Sequence, residues 1–191
     1  GKTNYLINND TASNSSKNKK ARELGIPILS ETDFERALQN ANIYGNPALC
    51  RFLLLDIENG DGKEVLQADN LTIEHIMPQT LSADWSHIKP EEHEIYVHTL
   101  GNLSVTGYNS ELYNKSFLEK KKIISDNSKA VILNIDVLDK ESWTIADIQA
   151  RARRLSSIVI KRYKIDKVED DTIEFDYIET ITFDNYDEVT G

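Results

Sequence analysis

The residues whose types and spacing could do chemistry lie between Glu74 and Asn114. Glu74 and His75 are adjacent, and amides follow at Asn102, Asn109 and Asn114. An imidazole has an intrinsic pKa near neutrality and can take a proton from water, whereas carboxylate and amide oxygens suit a hard divalent cation. A base beside oxygen donors for a metal ion is what metal-assisted attack of water on a phosphodiester requires.

Each of these side chains also has an ordinary structural interpretation. A single histidine on a strand is usually a packing residue, and Glu74 could be a surface carboxylate. Asn102 follows Gly101 and suits a turn, while Asn109 suits a helix N-cap. The ordered set as a whole is therefore more informative than any one of its members.

The wider pattern resembles His-Me finger (HNH-type) nucleases. A longer ordered set of residues runs through Thr72-Ile73-Glu74-His75-Ile76-Met77-Pro78-Gln79, Trp85, Leu100-Gly101-Asn102-Leu103, Asn109, Asn114-x-x-Phe117-x-x-Lys120, Trp143 and Ile148-x-x-Arg151. Through this set, residues 48–165 or so are similar to the C-terminal nuclease domain of GmrSD-type restriction endonucleases, which are type IV, modification-dependent enzymes.

The resemblance implies an α+β fold, with a His-Me finger (ββα-metal) core embedded in a mainly α-helical domain. It implies that His75 is the general base and that Asn102 holds the catalytic loop and orients His75. Glu74 stands where many members carry a metal-binding Asp, and Asn109 opens a helix where members place a second ligand. The expected cofactor is Mg²⁺ or Mn²⁺.

A continuous helix over residues 109–125 would separate the two later amides. Five positions are ~500° of helical rotation, so Asn109 and Asn114 would point about 140° apart. We therefore favour Asn109 as the metal ligand. Asn114, Lys115, Lys120 and Lys121 are the predicted nucleic-acid contacts, with a solvated helix face as the alternative for the lysines.

The implied function is a DNA endonuclease that restricts phage. Its partners would be double-stranded DNA, including modified phage DNA, and a nucleotide-hydrolysing ParB-like subunit or domain. One alternative is a non-catalytic DNA- or protein-binding scaffold. Another is a nuclease of RNA or single strands, because the same metal chemistry attacks any phosphodiester.

The net charge of −10 is unevenly distributed along the chain. Residues 166–191 contain ten Asp or Glu and one Lys, a net of −9, which leaves −1 for residues 1–165. Local basic surface, rather than net charge, is what meets phosphate. The acidity therefore does not exclude DNA as a partner.

The remaining composition is that of a soluble globular protein. No apolar run approaches the ~20 residues of a membrane span, and no signal peptide opens the sequence, so we expect a cytoplasmic protein without membrane contact. The single cysteine, Cys50, excludes a disulfide within these residues and a zinc site built on several thiolates.

Four segments are expected along the chain. Residues 1–38 are similar to the second half of a BRCT domain, through Tyr5-Leu6-Ile7, Ser16-Lys17, Lys20-Ala21, Leu24-Gly25-Ile26, Ile28, Glu31 and Phe34. This partial α/β segment is predicted to contain, in order, a strand, a helix, a second strand and a second helix. Residues 39–47 are expected to be a linker, 48–165 the nuclease domain, and 166–191 an acidic tail or the start of a further domain. Within them we predict helices over 48–58, 109–125 and 143–163, and a strand over 172–189.

Overall fold

Helices account for most of the regular structure, and the few strands are short. The computed structural model describes residues 5–60, 65–67 and 69–163. It confirms the predicted α+β class, with mixed helices and two small sheets. The described residues divide into two compact units, one that begins with residues 5–36 and one of residues 37–161.

The first unit begins with a strand–helix–strand arrangement, as predicted. Strand β1 (Leu6–Ile7) pairs in parallel with β2 (Ile28–Leu29), and helix α1 (Ser16–Glu23) connects them. The Ser15 side chain caps α1 by accepting a hydrogen bond from the backbone N–H of Asn18. Helix α2 (Glu31–Asn40) follows and continues past the boundary of the unit.

The second unit contains the other helices and a two-stranded antiparallel sheet. Its elements are α3 (Pro47–Asn59), β3 (Thr72–His75), α4 (Pro90–Tyr96), β4 (Leu103–Thr106), α5 (Asn109–Leu112), α6 (Phe117–Asn127), α7 (Ile135–Leu138) and α8 (Ile145–Arg162). Short 3₁₀ turns lie at Ile43–Gly45, Ala83–Trp85 and Leu100–Asn102.

Several expected elements are present and one is not. Helices α3 and α8 confirm the predictions over 48–58 and 143–163. The single helix expected over 109–125 is wrong, because α5 ends at Leu112 and Tyr113 adopts a positive φ of 34°. Helix α6 then starts anew from a capping box formed by Ser116 and Glu119. The strand expected over 172–189 and the acidic tail lie outside the described residues.

The segment expected to be a linker, 39–47, holds a short 3₁₀ turn. Within it, Ile43 is buried in the core of the second unit and Tyr44 packs against that core. Of the described helices, none is both long and apolar enough to cross a membrane.

Two groups of buried apolar side chains form the interior of the second unit. One joins α3, β4 and α8, and includes Leu54, Leu103 and Leu155. The other surrounds Trp85 and Trp143, both of which are fully buried. Leu103 and Val105 of β4 belong to the first group, against which Ile73 of β3 also packs, while Ile76 and Met77, which follow β3, belong to the second.

Candidate active site

The last two residues of β3 are Glu74 and His75, and both are buried. In the antiparallel pairing with β4, His75 lies opposite Leu103. The pairing continues beyond the strand through a 2.9 Å hydrogen bond from the backbone N of Ile76 to the backbone O of Asn102. The sheet therefore brings together the two parts of the motif that the sequence separates.

The Asn102 side chain ties the segment after His75 to the rest of the site. Its Oδ1 accepts a hydrogen bond from Met77 N at 2.8 Å, and its Nδ2 donates to Met77 O at 2.8 Å. The same Nδ2 donates to Val97 O at 2.9 Å, and Trp143 Nε1 donates to Oδ1 at 3.3 Å. Both the oxygen and the nitrogen of this fully buried amide are therefore hydrogen-bonded, and the amide holds the loop after His75. Its contribution to catalysis stays a prediction.

Glu74 forms an ion pair inside the protein. The Lys120 ammonium donates to Glu74 Oε1 at 2.6 Å and to the backbone O of His75 at 2.7 Å. The exposed fraction of these side chains is 0% for Lys120 and 3% for Glu74. Lys120 therefore contacts a carboxylate and a carbonyl in the interior, which corrects the prediction that it meets DNA phosphate at the surface.

The position of Lys120 follows from helix α6. The buried residues of this helix are Phe117, Lys120 and Ile124, which share one face at helical spacing. The spacing of Lys120 from Phe117 and Ile124 places it on the apolar face of the helix, and this spacing is the sequence feature that indicates a buried lysine with a buried partner. Burial raises the pKa of the Glu74 carboxyl to about 7, although the positive charge of Lys120 acts in the opposite direction and lowers it. Burial also lowers the pKa of the Lys120 ammonium.

The imidazole of His75 is held among other rings. Its Nε2 lies 3.1 Å from Nδ1 of His98. The Tyr44 ring meets His75 edge to face, with ring centroids 4.6 Å apart, and stacks on His98 at 5.1 Å. Burial, with the positive charges of neighbouring groups, lowers the pKa of His75 to about 3, so this ring is neutral at physiological pH.

Sequence reasoning assigned no role to the histidines between the two strands, yet all three have partners. His98 bonds to His75, while a ring nitrogen of His93 lies 2.9 Å from the backbone O of Pro78. His87 Nε2 lies 3.0 Å from the backbone O of Trp143. Neither His98 nor Tyr44 has a spacing that predicts its position beside His75, because both contacts join distant parts of the chain.

The break between α5 and α6 changes the comparison of the two later amides. Asn109 is the first residue of α5 and is exposed, while Tyr108 occupies the N-cap position. Asn114 lies in the turn between the helices and is half-buried. We favoured Asn109 because the two amides would point about 140° apart on one continuous helix. Since the helix is broken between them, that argument no longer applies, and either Asn109 or Asn114 is a candidate metal ligand.

The two other predicted DNA contacts already have acidic neighbours. Lys115 lies 3.8 Å from a carboxylate oxygen of Glu119. Lys121 lies 2.9 Å from Glu141 and also donates to the backbone O of Lys140 at 2.6 Å. Exposed pairs of this kind are weak, so phosphate could replace either carboxylate.

The oxygen donors near β3 suit a hard, largely hydrated cation. Helix α5, which carries the Asn109 amide, contacts the strand that carries the Glu74 carboxylate. One carboxylate oxygen of Glu74 already accepts from Lys120, so a metal ion would use the other oxygen. Across the described ranges, no three or more His, Cys, Asp and Glu side chains group together as a metal site.

Comparison with known families defines the class of protein. Residues 29–158 match GmrSD restriction endonucleases, C-terminal domain. This stretch is more than half of the chain and includes every candidate site residue. The chain therefore belongs to the family of GmrSD restriction endonuclease C-terminal domains.

Two curated relatives share a short segment with the chain. The DNA ligase of Lachnoclostridium phytofermentans is 68% identical over 40 residues, which is 21% of this chain and 6% of the ligase. The DNA ligase of Ruminiclostridium cellulolyticum is 67% identical over 39 residues, or 20% of this chain and 6% of the ligase. The chain thus covers only a small part of either relative. No solved structure matches it.

Proposed function

We propose that this chain is a metal-dependent DNA endonuclease of the HNH type, with β3, β4 and α5 forming a ββα-metal core. The observation that supports this proposal most strongly is the placement of Glu74 and His75 at the end of β3, with the loop after His75 braced by Asn102, which immediately precedes β4. Family membership supports the same class of activity.

In the proposed reaction, His75 takes a proton from water as the water oxygen attacks phosphorus. The bond between phosphorus and the 3′ oxygen breaks, and solvent protonates the leaving oxygen. Asn102 keeps the loop after His75 in place during this step. An imidazole with a pKa of about 3 is always free to accept a proton but binds it weakly. The negative charge of a bound phosphodiester raises the pKa of His75 and makes it a stronger base.

The proposed cofactor is Mg²⁺, or Mn²⁺ in its place. Glu74 would hold the ion together with the amide of Asn109 or Asn114, and water would supply the other ligands. When bound, the ion stabilises the negative charge that develops on the phosphate. The ammonium of Lys120 keeps the Glu74 carboxylate at the end of β3 but reduces its attraction for a divalent cation.

The proposed biological substrate is phage DNA with modified bases, and the proposed partner is a nucleotide-hydrolysing ParB-like subunit or domain. The short likeness to two DNA ligases supports DNA as the partner of part of the chain. The parallel strand pair of the first unit is compatible with the proposed BRCT-like segment, which would bind DNA or a protein.

Cleavage by the full chain tests this proposal. We expect nicking or linearisation of plasmid and phage DNA with Mg²⁺ or Mn²⁺, and none with EDTA. Modified and unmodified phage DNA identify any base preference, while competing single-stranded DNA and RNA test whether duplex DNA is the substrate. Cleavage that persists in EDTA, or a folded chain that cuts no substrate with either metal, would contradict the proposal.

A further inference from the structure

One ring nitrogen of His75, the proposed base, is hydrogen-bonded to the imidazole of His98. The separation of 3.1 Å between His75 Nε2 and His98 Nδ1 is a hydrogen-bond distance, so one of the two nitrogens carries the hydrogen. Burial lowers the pKa of both rings, which favours their neutral forms. A neutral imidazole carries one hydrogen, and the hydrogen bond at one nitrogen therefore determines the state of the other.

The surroundings hold His98 in this position. The backbone N of Ile43 donates to the backbone O of His98 at 3.2 Å, and the Tyr44 ring stacks on the His98 ring with an interplanar angle of 10°. On the other side, Asn102 Nδ2 bonds to the backbone O of Val97. Asn102 therefore braces the backbone next to His98 as well as the loop after His75.

We propose that His98 is a positioning residue that sets the tautomer of His75. In this arrangement His75 Nε2–H donates to His98 Nδ1, so His75 Nδ1 is the bare nitrogen that accepts the proton from water. The reverse arrangement would place the hydrogen of His75 on Nδ1 and leave the ring with no nitrogen free to act as a base. This inference rests on the proposed function, since it assumes that His75 is the base.

The proposed arrangement also agrees with the intrinsic chemistry of the ring. Neutral imidazole side chains favour the tautomer with hydrogen on Nε2. Donation from His75 to His98 lets both rings adopt it, whereas the reverse arrangement places the hydrogen on Nδ1 in both. Tyr44 restricts the rotation of both rings, because it contacts the edge or face of each.

Nuclear magnetic resonance of the isotope-labelled full chain tests the tautomer without any need for activity. We expect proton–nitrogen correlations of the wild-type protein to show hydrogen on Nε2 and a bare Nδ1 for His75. In folded His98→Ala, the signals of His75 should shift toward those of a mixture of tautomers. Hydrogen on Nδ1 of His75 in the wild-type protein, or signals that do not respond to His98→Ala, would overturn the proposal.

Steady-state cleavage tests the consequence. His98→Ala should lower kcat by about 10- to 100-fold with little change in KM, as for other residues that orient a reacting group. His98→Asn should restore most of the rate, because its amide oxygen can take the place of Nδ1. His87→Asn is the matched control, since His87 bonds to Trp143 O and not to His75, and should leave kcat unchanged.

Failure of this inference and failure of the proposed function give different results. Wild-type cleavage that survives His75→Ala would remove His75 as the base and the proposal with it. Cleavage lost in His75→Ala but unchanged in folded His98→Ala would remove only the role of His98. If His98→Ala does not fold, the rate of His98→Asn and the wild-type tautomer decide the question.

Discussion

At the scale of single residues, the most unusual feature is a lysine with no exposed surface. Lysines are almost never fully buried unless they are paired. Lys120 has Glu74 as its partner and a carbonyl as a second acceptor. The loss of hydration offsets much of the attraction within a buried ion pair, so the pair is better evidence for a specified position of Glu74 than for added stability.

We predict that Lys120→Met destabilises the protein by about 3–5 kcal/mol, because it leaves a buried carboxylate without its partner. The double variant Glu74→Gln/Lys120→Met should recover much of this loss, since both charges are then absent. Chemical denaturation of the wild type and of these two variants measures the free energies of unfolding.

Lys115→Met is the control for the loss of a lysine, because the Lys115–Glu119 pair is exposed. It should change the free energy of unfolding by no more than about 1 kcal/mol. A Lys120→Met variant as stable as the wild type, or a double variant that recovers nothing, would contradict the assigned ion pair.

Sequence reasoning predicted part of this site for clear reasons. The family resemblance placed Glu74, His75 and Asn102 in one core, and the structure places Glu74 and His75 at the end of β3 and Asn102 immediately before β4. The contact of His98 with His75 was beyond prediction. It depends on the course of the chain between the strands, which local propensity does not determine.

At the scale of elements, the site depends on close packing between helix α8 and the 3₁₀ turn of Leu100–Asn102, which precedes β4. A Cβ atom added at Gly101 would lie 2.0 Å from the backbone O of Ile148 and 3.0 Å from Cβ of Ala152. Arg151, also on α8, donates to the backbone O of Gly101 at 2.8 Å and to that of Leu100 at 3.2 Å. Helix α8 thereby positions the turn that carries Asn102.

We predict that Gly101→Ala destabilises the fold by at least about 1–3 kcal/mol, because the backbone of α8 must move to admit the methyl group. Thermal unfolding measures the loss. Gly107→Ala is the matched control, because its nearest neighbour, Asn70 O, would lie at an ordinary contact distance of 3.5 Å. Equal stability of the Gly101 variant and the wild type would contradict the close approach of these elements.

The boundaries of the helices were predictable to different degrees. The apolar repeat of α8 was clear from the sequence, because its buried residues recur at helical spacing. The division of 109–125 into two helices was missed, although Ser116 and Glu119 form a capping-box pair visible in the sequence. The positive φ of Tyr113 could not be predicted from the sequence, because a residue other than glycine rarely adopts this conformation.

At the scale of the whole molecule, charge decides how the chain can meet DNA. Residues 1–165 carry a net charge of only −1, because most of the acidic excess lies in residues 166–191. With Lys120 buried, one predicted phosphate contact is lost from the surface. Lys115 and Lys121 stay candidate contacts, so DNA affinity should fall as salt screens them.

The most direct test of the account compares cleavage and binding of the same DNA by the wild-type chain and by His75→Ala. We predict that the variant loses metal-dependent cleavage while its DNA affinity, measured at the same salt concentration, stays close to that of the wild type. This outcome is expected because a general base acts on water and contributes little to binding. Cleavage that persists in the variant, or an equal loss of cleavage and binding, would contradict the assignment of His75 as the base.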